Sequence, residues 1–116
     1  MKCLAATLGF DADFVLRKLA AERHDRVACV GLEVEQQAWS RVEKTFSLIG
    51  YYCNTLGMSC ELTKVAKENI VGRLKEVLEE LANSCDSLTL YLTGGPRIVV
   101  VSAFLASLLL PPPLAA

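Results

Sequence analysis

The stretch Ser87–Leu110, SLTLYLTGGPRIVVVSAFLASLLL, decides the fold. Two readings compete for its second half. Ile98 to Val101 is β-branched and suits a strand, which would make Gly94-Gly95 a hairpin bend. Pro96 instead fits the start of a helix, and Phe104 to Leu110 holds good helix formers. The rest of the chain settles the choice. Three strand-then-helix units precede this stretch with short connections, and that order implies a parallel sheet with right-handed crossovers. The second half is therefore read as a helix over Ile98 to Leu110.

The earlier units are legible from their apolar patterns. Lys2 to Leu8 is a short apolar run ending at Gly9, as a buried strand requires. Asp11 to Arg23 carries Phe14, Val15, Leu19 and Ala20 as a helical stripe, with Asp11 or Asp13 placed to cap it. Arg26 to Leu32 is the second strand. In the next helix Val34, Ala38, Val42, Phe46, Ile49, Cys53 and Leu56 recur at steps of three or four, and Gly57 stops it. Ser59 to Val65 reads as a third strand nearer an edge, Asn69 to Ala82 as a helix, and Ser87 to Leu92 as the fourth strand. The expected fold is α/β: a Rossmann-like open parallel sheet of at least four strands, order 3-2-1-4, with helices on both faces. Residues 1–110 make one domain, and Pro111-Pro112-Pro113 opens a Pro-rich tail or linker over 111–116.

Composition narrows the function. A length of 116 residues suits one domain with a core of its own. The hydrophobic share of 53% against 22% charged excludes a disordered chain. Twelve Lys and Arg against thirteen Asp and Glu leave no basic excess, which argues against direct binding of duplex nucleic acid by this chain. A small anion remains possible, because a few local donors suffice. Lys2 and the apolar CLAATLGF are interrupted by Asp11 and Asp13, so no signal peptide is read there. Ile98 to Leu110 is too short to span a bilayer, which takes about 20 residues. The five cysteines (Cys3, Cys29, Cys53, Cys60 and Cys85) lack any C-x-x-C and read as reduced thiols of a cytoplasmic protein, with Cys53 and Cys60 near enough in sequence to pair. The single histidine, His24, is expected at the surface. No metal site and no cofactor are implied.

The chemistry is expected where ligands bind such sheets, outside the carboxyl ends of the strands at the switch in strand order. Two loops reach that edge: Thr7-Leu8-Gly9-Phe10-Asp11 and Thr93-Gly94-Gly95-Pro96-Arg97. With strands one and four adjacent, the loops are expected to face one another across a crevice. Glycines admit an anion to backbone N–H groups, a helix N-terminus adds donors, Thr93 adds a hydroxyl and Arg97 a planar fork for phosphate. The same residues also make a plain strand-to-helix turn with a solvated Arg97, and spacing alone does not separate the two. Neither a P-loop nor G-x-G-x-x-G occurs.

Taken together, ATLGFDADFVLRKL and LYLTGGPRIVVVSAFLA resemble the CRISPR-associated Rossmann-fold (CARF) domain, with the closest likeness to archaeal CRISPR-linked transcriptional regulators that carry it before a winged helix. The resemblance implies a homodimer binding a cyclic oligoadenylate, cyclic tetra-adenylate foremost, across its two-fold axis in type III CRISPR antiviral signalling. It matches Thr7, Leu8, Gly9 and Phe10 to one ligand-facing loop and Thr93, Gly94, Gly95 and Arg97 to the other, with Arg17 following the first motif. Asp11 and Pro96 belong to the same loops. By that likeness a DNA-binding domain follows, so the chain is expected to be the sensory part of something longer or a stand-alone sensor. Two alternatives stay open: a metal-independent ring nuclease using 2′-hydroxyl attack, with Asp11 as the available base, and an unrelated nucleotide-binding Rossmann-like domain. Sensing is favoured over catalysis because neither loop supplies a good general base.

Overall fold

Strand β1 (Lys2–Thr7) sends alternate side chains into two apolar layers, and that alternation organises the molecule. Cys3 and Ala5 face one layer with Ala28, Val30, Leu88 and Leu90. Leu4 and Ala6 face the other with Val27 and Cys29. The computed structural model describes residues 1–110; the expected tail at 111–116 lies outside the described residues.

The element order after β1 is α1 (Asp13–Ala21), β2 (Arg26–Leu32), α2 (Gln36–Thr55), β3 (Ser59–Val65), α3 (Ile70–Ser84), β4 (Ser87–Tyr91) and α4 (Arg97–Ser107). All strand pairs are parallel, and the order is β3-β2-β1-β4. Cys3 sits opposite Arg26 on one side and Leu88 on the other. Helices α1 and α2 cover one face through Val15, Leu19, Trp39, Val42 and Ile49. Helices α3 and α4 cover the other through Leu74, Leu78, Leu81, Val99 and Ala103. A sheet buried on both faces explains why β1 and β2 read as unbroken apolar runs. Truncating a fully buried leucine such as Leu74 or Leu78 is expected to cost about 2–5 kcal/mol.

The order 3-2-1-4 and the helix that ends the described chain agree with the sequence reading. Helix α4 is shorter than expected: it ends at Ser107, and turn residues continue to Leu110. Gly57 follows α2 with φ +72°, a left-handed conformation that a glycine adopts at no steric cost.

Two expectations fail at the amino edge of the sheet. His24 is 0% exposed, not superficial, because the chain between α1 and β2 folds it inward. Among the described residues neither ring nitrogen has a hydrogen-bond partner, and Glu22 Oε1 lies 3.8 Å from Nε2. Burial, followed by the nearby Lys2 charge, holds its pKa below the ordinary 6.5. The cysteines are not five free thiols. Cys3 is disulfide-bonded to Cys85 and Cys53 to Cys60, with Cα–Cα separations of 6.1 and 6.2 Å. The β1–β4 register brings residues 82 apart in sequence together, which spacing along the chain does not reveal. Cys29 alone is free; burial pushes its thiol up to about 12, so it is an inert core group.

Candidate functional site

The chain reverses its strand order between β1 and β4, and the loops that follow these two strands meet at the carboxyl edge. They do not face each other across a gap, as expected from sequence; they touch backbone to backbone. A Cβ on Gly94 would lie 2.6 Å from the Thr7 carbonyl oxygen, and one on Gly9 would lie 2.9 Å from Gly95 Cα. Gly95 also has φ +87°. Side chains at these positions would push the loops apart, which gives the glycine pair a steric reason beyond ligand approach.

The other loop residues divide by burial. Thr7 is 2% exposed, and its hydroxyl oxygen accepts the Gly94 N–H at 3.3 Å, so it ties one loop to the other. Leu8 is buried, and its N–H donates to Val30 O at 2.9 Å. The Asp11 carboxylate accepts the Asp13 N–H at 2.9 Å in a local turn, and the N-cap of α1 is Ala12, not Asp11 or Asp13 as the sequence suggested. Pro96 stands immediately before α4, where its carbonyl accepts the N–H groups of Val99 and Val100. Thr93 and Arg97 are exposed. Arg17, exposed on α1, pairs with Asp13 at 3.0 Å and belongs to the helix surface.

The open space lies beside the joined loops, above β1 and β2. It is a cleft of about 330 Å³, within the range of small-molecule sites. Leu8, Gly9, Phe10, Gly95 and Pro96 form one side. Leu32, Val34 and Val42 form the other, and the sequence reading did not assign these to the site. Val34 and Val42 were legible only as members of a helical stripe, indistinguishable from core positions.

Arg41 and Arg97 are exposed at this edge. The arginine ion pairs among the described residues belong to Arg17 and Arg26, not to Arg97 or Arg41. Arg97 opens α4, where the helix dipole already favours an anion. Arg41 lies on α2 with its guanidinium carbon 4.1 Å from the centre of the Phe10 ring. The site thus combines two closely joined glycine loops, a guanidinium with no ion pair among the described residues at a helix start, and an apolar slot. That combination suits a phosphate-bearing ligand with an apolar part.

The family model of the Csa3 CRISPR-associated Rossmann-like domain matches residues 2–112. The chain belongs to this family. The match takes in every strand and helix described above, including both glycine loops, so the CRISPR-linked CARF reading of the two motifs stands. No curated protein matches the chain. No helix among the described residues is long and apolar enough to cross a membrane.

Proposed function

We propose that this CARF-type domain is a sensor of a cyclic oligoadenylate, cyclic tetra-adenylate foremost, in type III CRISPR antiviral signalling, with transcriptional regulation as its output. The observation that carries the reading is the joined pair of glycine loops beside the cleft, with Arg97 unpaired at the start of α4. Phosphates would meet the Gly95 backbone and the Arg97 fork, while the Gly94 N–H, donated to Thr7, holds the loops in register.

The sensor acts as a homodimer in this reading. Ile98, Val101, Phe104, Leu105, Leu108 and Leu109 are each 39–65% exposed along α4 and the turn after it. A contiguous apolar surface of this kind marks an interaction face. A second copy seated there would bring a second Arg97 alongside the first and make the site two-fold, matching a cyclic ligand.

Binding is favoured over cleavage by the state of Asp11. Its carboxylate is committed to the Asp13 N–H, and no other carboxylate lies in either loop. Isothermal titration with cyclic tetra-adenylate tests the reading. The wild type should bind, and Arg97→Ala should lose about tenfold or more in affinity, the scale of a charge-assisted hydrogen bond. An Arg97→Ala protein that binds as tightly as wild type sinks the assignment.

A further inference from the structure

Strand β3 closes one side of the sheet, and among the described residues only β2 pairs with it. Two hydrogen bonds fix which of its groups face outward. Ser59 N–H donates to Asp25 O, and Val65 O accepts the Glu33 N–H, so Ser59, Glu61, Thr63 and Val65 turn their backbone toward β2. The direction alternates from residue to residue along a strand. Cys60, Leu62 and Lys64 therefore present their N–H and C=O groups at the rim. Edge strands usually blunt such a rim by being short, bulged or broken by proline. β3 is seven residues long, keeps unbroken register with β2 and holds no proline. The Arg26–Glu61 bond ties it to β2 and the Cys53–Cys60 disulfide ties it to α2, so little ordering is left to pay on pairing.

We propose that β3 pairs antiparallel with β3 of a second copy, about a two-fold axis at Leu62, joining two sheets into one. The outward groups select that axis. Leu62 then faces the partner's Leu62 and Cys60 faces the partner's Lys64, so every outward residue both donates and accepts. Centring on Glu61 would set two carboxylates opposite each other, and centring on Thr63 would leave Cys60 beyond the partner strand. The two faces match as well. On the α2 side the half-buried Leu62 and Phe46 border a hollow of about 580 Å³, open to the partner's Leu62. On the α3 side Arg73 stands with Val65 at the carboxyl end of β3, and Glu80 with Arg26 at its amino end. The axis exchanges those ends, bringing Arg73, which has no ion pair among the described residues, toward the partner's Glu80. β2 separates this surface from the strands that carry the glycine loops, so the pairing is independent of the ligand reading and of the α4 dimer.

Cross-linking and sedimentation of the full chain test this. In the proposed register Glu61 faces the partner's Thr63 in a non-hydrogen-bonded pair, whose Cα atoms lie about 4.5 Å apart, within disulfide reach. Both are on the α3 side, where Cys29, buried on the α2 side, does not compete. Glu61→Cys protein mixed with Thr63→Cys protein and mildly oxidised should form a covalent dimer at least about tenfold faster than Ser59→Cys, an exposed control away from the axis. Arg73→Glu in both chains should slow that reaction about threefold, and adding Glu80→Arg to both should restore it. With no cysteine added, Leu62→Lys sets two ammonium groups opposite each other and should lower the weight-average mass of the wild-type assembly at least about twofold. Cross-linking no faster than the Ser59→Cys control overturns the pairing, as does a rate indifferent to Arg73→Glu or a mass indifferent to Leu62→Lys. None of these readouts uses a ring ligand or the α4 face, so such a result leaves the sensor reading standing.

Discussion

The two edges of the sheet are built on opposite plans. At the amino edge the chain is tied repeatedly. The Met1 amine pairs with Asp86, whose carboxyl is thereby held below its usual range by that hydrogen bond. The Asp25 carboxylate accepts the Lys2 N–H at 2.8 Å, and its backbone joins Lys2 and Ser59. Arg26 Nε donates to Glu61 Oε1 at 2.8 Å, and its Nη2 lies 2.6 Å from the same oxygen as an ion pair. Both disulfides lie at this end, linking the start of β1 to the chain before β4 and the end of α2 to β3. At the carboxyl edge a single side-chain hydrogen bond, Thr7 to Gly94, joins the loops, and Arg41 and Arg97 have no carboxylate partner among the described residues. Side-chain ties are concentrated where no ligand is expected, and guanidinium groups without a carboxylate partner among the described residues where one is.

If the edges divide stability from binding, variants at each should move one property and spare the other. The largest effect is expected from Cys3→Ser combined with Cys85→Ser. Releasing a closed loop of this length should lower stability by about 4 kcal/mol in chemical denaturation, with ring affinity unchanged in the folded protein. Gly94→Ala should come next. Its new methyl would press on the Thr7 carbonyl, costing about 1–3 kcal/mol and, in the same titration, more affinity than the loss of global stability explains. A ring affinity that falls with the cysteine pair and survives Gly94→Ala would reverse the division.

The smallest expected effect concerns His24. Its folded pKa lies below the unfolded value of 6.5, so the unfolded chain takes up a proton first as the pH falls. Stability should therefore be flat above 6.5 on this account and decline as the pH drops below it. The decline stops contributing once the folded imidazole protonates too. Lys2 and Lys18 reinforce the shift and Glu22 opposes it. His24→Phe should flatten the profile between the carboxylate range and 6.5, measured by denaturation at several pH values. A slope that persists in His24→Phe would assign it to other groups.

Where sequence reading succeeded, the signal was local. The ranges Arg26–Leu32 and Ser59–Val65 coincide with β2 and β3, because a strand buried on both faces, or alternating at an edge, announces itself within seven residues. The glycine loops were legible for the same reason: Gly-Gly-Pro between an apolar strand and an apolar helix is local chemistry. What stayed hidden depends on contacts across the fold. Cys3 and Cys85 meet through strand register. Arg41 finds Phe10 although thirty-one positions separate them, 41 less 10. Val34 and Val42 have the spacing of ordinary core residues, and only the geometry of the cleft gives them another role. His24 carried no sign of its burial, since a polar residue beside Asp25 and Arg26 has the look of a turn.

Helix α4 begins with Arg97 and runs eleven residues to Ser107, a rod of about 16 Å. Buried Val99, Ala103 and Ala106 seat it on α3 and the sheet, while its opposite side carries Val101, Phe104 and Leu105. Such a rod does not bend to absorb a push at one end. In the proposed sensor, a phosphate drawing Arg97 toward the glycine loops would carry the same displacement to Leu108 and Leu109 at the far end of the rod. The helix would then act as a plunger, converting occupancy at the rim into motion at the exit.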